Sequence, residues 1–198
     1  MPDINTWTDI TCPSACGGTL NYGALPTDPD CISVPPLSEI SDIYIQATGA
    51  TAPFDWTTPT APTAVSGAID NTTTDNSKTK HLVVIGNQGD PEETVYNGTK
   101  GSQVVGLRRY TIEGRTPITA QSIYDFLKQI QCNNLNFVFW VGTRGGYLFG
   151  GATGISPAAS NARFPKVEGS EGYEEGVIIL QYETDNGDPP RVPNPLAT

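Results

Sequence analysis

The stretch PITAQSIYDFLKQIQCNNLNFVFWVGTRGGYLF, residues 117–149, decides the fold. In its first half Ile123, Phe126, Leu127 and Ile130 recur at i, i+3, i+4 and i+7, which gives one apolar stripe on a helix over about 117–131. Thr119 is the expected N-cap, Ile118 and Ile123 the expected hydrophobic staple, and Asn133 and Asn134 suit the C-terminal end. In the second half Phe137 to Val141 is apolar at every position, the pattern of a central strand. Gly142 to Gly146 then turns the chain back into Tyr147-Leu148-Phe149, forming a hairpin. A lone amphipathic helix has to bury its stripe against something, and a sheet is the available surface.

Working outward, four further segments carry the pattern that a sheet requires. Ile43 and Ile45 alternate with Asp42 and Tyr44 in Ile40 to Ala47, and Val177 to Tyr182 is a strong apolar strand. His81 to Gly86 is a short apolar run closed by Gly86-Asn87-Gln88-Gly89-Asp90-Pro91, a loop signal, while Ser102 to Glu113 alternates imperfectly. Residues 1–37, 49–80 and 150–176 are rich in Gly, Pro, Thr or Ser and read as extended chain or long loops, and 185–198 as an extended tail. The expectation is a mainly β protein: a two-layer β-sandwich or barrel with one packed amphipathic helix at about 117–131, long loops and extended N- and C-terminal arms. Two parts are expected, an acidic Pro/Thr-rich arm or subdomain with one strand at 1–79 and a β-sandwich core with one helix and an extended tail at 80–198.

Composition agrees with this reading. Gly and Pro supply 38 of 198 residues and charged residues only 16%, which argues against a helical bundle or coiled coil. No stretch approaches the roughly 18 to 20 apolar residues of a membrane-spanning helix. The 21 acidic and 11 basic residues disfavour a general nucleic-acid clamp, whose affinity comes from neutralising phosphates. The excess is also uneven. Residues 1–77 hold nine acidic groups and no Lys or Arg, whereas the remainder holds 12 acidic and 11 basic. A segment facing a partner, a pore or solvent is the expected consequence.

Candidate chemistry is sparse. Cys12, Cys16 and Cys31 are weak metal candidates that would need Cys132 or His81 as a fourth ligand; without a second close Cys pair, free or buried thiols are the favoured reading. No secretory signal is visible at Met1-Pro2-Asp3-Ile4, so folding in a reducing cytoplasm is expected and the sequons at Asn71 and Asn97 read as chance. His81 is the only histidine and has no Ser or Cys pattern beside it, so it reads as structural rather than as a catalytic base. Glu92-Glu93 and Glu174-Glu175 read as solvated loop acids rather than an acid–base pair. No cofactor is implied. Arg108, Arg109 and Arg144 are expected to pair across subunits, with the acidic N-terminal part as the partner for Arg108-Arg109, and Trp56 and Tyr173 to bind a partner or a sugar.

The helix Ile123-Tyr124-Asp125-Phe126-Leu127 leading into Phe137-Val138-Phe139-Trp140-Val141, together with the Gly- and Thr-rich loops and Pro-rich arms, resembles bacteriophage virion proteins. The nearest type is the tail-tube or major tail protein family, and the resemblance spans about residues 80–183 in layout and composition. It implies β-sandwich subunits in stacked, usually hexameric rings around a lumen through which DNA passes. The expectation is a non-enzymatic virion subunit, made in the host cytoplasm, whose partners are copies of itself and other virion proteins. It would carry no membrane attachment and no sequence-specific nucleic-acid binding. A surface or secreted β-sandwich binding module for carbohydrate or protein, a capsid-decorating protein and a small hydrolase are the alternatives.

Overall fold

The computed structural model describes residues 39–50, 69–72, 78–97, 103–132, 136–165, 174–185 and 188–195. Within them run β1 (Ile40–Ala47), β2 (Lys80–Gln88), β3 (Glu92–Asn97), β4 (Gln103–Pro117), α1 (Gln121–Gln131), β5 (Phe137–Thr143), β6 (Tyr147–Phe149), β7 (Ala159–Arg163), β8 (Glu175–Thr184) and β9 (Arg191–Pro193). The described residues are mainly β with one helix, as expected. All strand pairings are antiparallel, in the order β7-β8-β4-β2-β1-β5-β6-β9, with β3 added to β4.

Of the two expected architectures the strand path favours the barrel. Ile155 exchanges both backbone hydrogen bonds with Phe139 of β5, at 2.8 and 2.9 Å, and the chain then enters β7 on the far side of β8. This single bridge, outside the named strands, curls the path β7-β8-β4-β2-β1-β5 back toward β5, so the sheet is a barrel-like ring joined there by the segment that precedes β7. The strand period of two aims one residue in two at the interior. Ile43 and Ile45, Leu82 and Val84, Tyr110 and Ile112, Phe139 and Val141, and Ile178, Leu180 and Tyr182 make this core. A bulge between Ile40 and Asp42 resets the alternation, so Ile40 also points inward three residues before Ile43. β1, the strand expected in the N-terminal part, lies between β2 and β5 in this same ring.

The helix joins the end of β4 to the start of β5 and packs on β7 and β8 at that end of the ring. Leu127 and Ile130 are buried and Ile123 and Phe126 partly so, as the stripe requires. Gly176 of β8 lies under the helix, where a Cβ would stand 2.2 Å from Leu127 Cδ1. The N-cap is Ala120, without a side-chain cap, instead of the expected Thr119. The physical reason is the sheet: β4 stays paired with β8 through Pro117, and the Ile118 N–H donates to the Glu174 carbonyl at 2.8 Å, which delays the first helical turn.

A second apolar cluster sits outside the ring. Tyr44, Trp140 and Leu148 are buried there with Ile69, Val138 and Val192 packed against them. This explains why Phe137 to Val141 reads apolar on both faces: Phe139 and Val141 fill the barrel while Trp140 fills the outer cluster. The Trp140 indole donates to the Gly151 carbonyl at 2.8 Å. Gly150 and Gly154 have φ of 139° and 77°, and a Cβ on either would meet the Trp140 ring at 2.6 and 2.9 Å, so glycine is required twice over.

Candidate functional site

The two ends of the ring differ. One is covered by α1. At the other, where β1 begins and β2 and β5 end, a cavity of about 490 Å³ opens. Its floor is core: Ile40, Ile112, Val141, Phe149 and Ile155. Its rim is polar and comes from segments far apart in sequence: Glu39, Asn87 and Gln88, Thr143, Tyr147, and Asp188 with Arg191. Glu39 is held by Arg144 at 2.9 Å, and the Arg191 guanidinium lies over the Tyr147 ring at 4.6 Å.

Beside this mouth two inward tyrosines stack in register, Tyr110 of β4 on Tyr182 of β8, with centroids 5.0 Å apart. Burial, reinforced by the Asp188 carboxylate that accepts from the phenol, pushes Tyr110 up to about 12. Burial first, then Asp188 and Tyr110, raise Tyr182 further still. Both rings therefore stay protonated donors at any physiological pH. The Tyr182 hydroxyl is fully buried and lacks a hydrogen-bond partner of good geometry among the described residues; Gln88 and Asp188 are its polar neighbours.

A second structure leaves the ring at the same end. β8 pairs with β4 only as far as Arg108, so Gln103 to Leu107 pair with β3 alone. These five residues and their β3 partners form a two-stranded ribbon reaching about 17 Å past the ring. Its side chains Val95 and Tyr96 are 45% and 58% exposed. Tyr96 lies over Gly106, where a Cβ would approach its ring to 2.3 Å. Val83 and Ile85, on the outer face of β2, are 64% and 71% exposed.

Arg108 and Arg109 stand at the base of this ribbon and pair within the chain, with Glu93 at 2.9 Å and with Glu183 at 2.9 Å. The Glu183 carboxylate, first by hydrogen bond and then by charge, raises Arg109 above its ordinary value. Arg144 pairs with Glu39, one of the acidic residues before Lys78. Asp42 and Asp70 of that set are also engaged, Asp42 by His81 at 2.7 Å and Asp70 by Thr72 at 2.8 Å. The other six acidic residues of that part, with Trp56, Tyr173, Cys12, Cys16 and Cys31, lie outside the described residues. Cys132 is exposed at the end of α1, and no group of three metal-ligating side chains occurs among the described residues.

His81 stacks on Tyr44 at 4.7 Å, and Asn71 bonds both its backbone groups, donating to the carbonyl and accepting from the N–H. Burial alone would raise the Asp42 carboxyl, but hydrogen bonds from His81 and Ser41 and the charge of His81 outweigh it and hold it low. Ser41 donates to Asp42 rather than to His81, so the order differs from a relay in which histidine stands between hydroxyl and carboxylate. Glu92 and Glu93 are consecutive residues of β3 and point to opposite faces, so that pair does not converge on one bond.

None of the rim residues was legible as a site; the nearest candidate is Arg144, which pairs with Glu39. Asn87, Gln88 and Asp188 sit in segments that carry only loop signals, and their meeting at one mouth depends on ring closure. No protein-family model matches the chain, and no curated protein matches it.

Proposed function

We propose that the protein is a non-enzymatic structural subunit that associates with copies of itself through the ribbon and the outer face of β2. The observation that carries this reading is the ribbon. Two strands alone are marginally stable in water, and this pair runs past the barrel with Val95 and Tyr96 exposed, close in sequence to exposed Val83 and Ile85. A neighbouring copy is the surface that would cover them. The layout's resemblance to tail-tube proteins extends the proposal to rings or a tube in a phage particle, with DNA passing without sequence-specific contact. A capsid-decorating role in the same particle is the runner-up. The test is light scattering and electron microscopy of the purified chain. Rings or discrete oligomers are expected, converted to monomers by Val95→Asp with Tyr96→Ser; a wild-type chain that stays monomeric and is never recovered in particles would refute the reading.

A further inference from the structure

We infer that the mouth cavity is a binding site for a neutral polyhydroxylated ligand, a sugar ring being the simplest case. The inference is independent of the assembly reading. A barrel mouth is a common place for small-molecule sites, and about 490 Å³ falls within their usual size range. The chemistry of the lining narrows the class. Its charged members are Glu39, Asp188 and Arg191, and Glu39 is already engaged by Arg144. Asp188, which also accepts from Tyr110, and Arg191 complete the set, one of each sign, so a cation meets the guanidinium and an anion meets the carboxylate. Neither sign is favoured, and a neutral ligand is.

The rim also presents both hydrogen-bonding senses within one opening. Asp188 accepts, Arg191 donates, and the Asn87 and Gln88 amides do both. A ligand that uses all of them has to donate and accept through closely spaced groups, as vicinal hydroxyls do. Beneath the rim, Ile112, Val141, Ile155 and the Phe149 ring offer an apolar floor to the C–H face of a sugar. A purely apolar ligand would fill that floor but leave the rim groups desolvated and unpaired, which is costly. The second, independent observation is Tyr182. Its fully buried hydroxyl meets no partner of good geometry among the described residues, and its polar neighbours are Gln88 and Asp188 of the rim. A ligand hydroxyl held by those two side chains extends the polar chain that begins at Tyr182.

The experiment is saturation-transfer NMR on the full chain with glucose, galactose, mannose and N-acetylglucosamine, against hexanoate, tetramethylammonium and benzene as charged and apolar controls. Transfer to at least one sugar and to none of the controls is expected. Its apparent affinity should fall about tenfold in Gln88→Ala and in Asp188→Ala, both exposed positions, and stay unchanged in Tyr96→Ser on the ribbon. No transfer to any sugar, transfer to a control instead, or a sugar signal indifferent to both rim variants overturns the assignment. Should a rim variant fail to fold, amide shifts of the isotope-labelled wild type decide: sugar-induced changes must centre on Asn87, Gln88, Tyr147 and Arg191, and changes centred elsewhere overturn it equally.

Discussion

The two ends of the barrel are built from the same strands and solve opposite problems. At the helix end Leu127 and Ile130 cover the ring, and Gly176 has no side chain because Leu127 occupies the space. At the mouth the same inward rows end in Tyr110 and Tyr182, polar rim groups surround a cavity, and the β3–β4 ribbon carries Val95 and Tyr96 into solvent. The difference teaches where this fold keeps its stability and where it keeps its contact chemistry. A covered end contributes through burial. An open end leaves groups unsatisfied or exposed, and such groups are the ones available to a ligand or another copy.

The largest expected effect lies at the covered end. Leu127→Ala removes a fully buried side chain and should cost about 2–5 kcal/mol in urea-monitored unfolding. Gly176→Ala tests the same packing from the opposite side: its Cβ has no room beneath Leu127, and a loss of about 1–3 kcal/mol is expected. If Leu127→Ala were as mild as a ribbon substitution, the distinction between the ends would fail.

An intermediate effect is expected in the wall between them, at Asp42. Its carboxyl is held below the ordinary value in the folded chain, so the stability it contributes is full above the unfolded value of about 3.9 and is lost as pH falls through the folded value. Asp42→Asn should therefore cost about 1–2 kcal/mol near neutral pH and show a shallower decline of stability below about pH 4. Parallel acid-unfolding curves for the two proteins would remove the ion pair from the account. The smallest effect on stability is expected on the ribbon. Val95→Asp with Tyr96→Ser should change the monomer's unfolding free energy by no more than about 0.5 kcal/mol per site while abolishing self-association, because exposed side chains contribute little to the isolated fold.

How much of this was legible follows from how local each signal is. The stripe of α1 and the doubly apolar β5 could be read directly, since their periods lie within one element. β3, with the sequence EETVYN, and β7, with ASNAR, carry too little apolar alternation to be recognised, and by sequence both read as loop. They are strands because β4 and β8 offer them partners. The expected cap at Thr119 failed for a related reason: β8 continued to pair with the chain where local sequence favoured a helix start. The site was less legible than the fold. Asn87, Asp188 and Arg191 meet at one mouth only because the ring closes through Phe139 and Ile155 and the C-terminal strand β9 returns along β6.

By itself, then, the sequence determined that the chain is β-rich, that one helix must lie on a sheet, and that Phe137 to Val141 is covered on both faces. These follow from periodicity and hydrophobicity, which are properties of neighbouring residues. Only the tertiary structure curled the sheet back through Phe139 and Ile155, placed the cavity opposite the helix, and set Arg108 and Arg109 against Glu93 and Glu183. Those outcomes depend on pairings between strands up to about a hundred residues apart, and the free energy that selects them is gained only when distant surfaces meet.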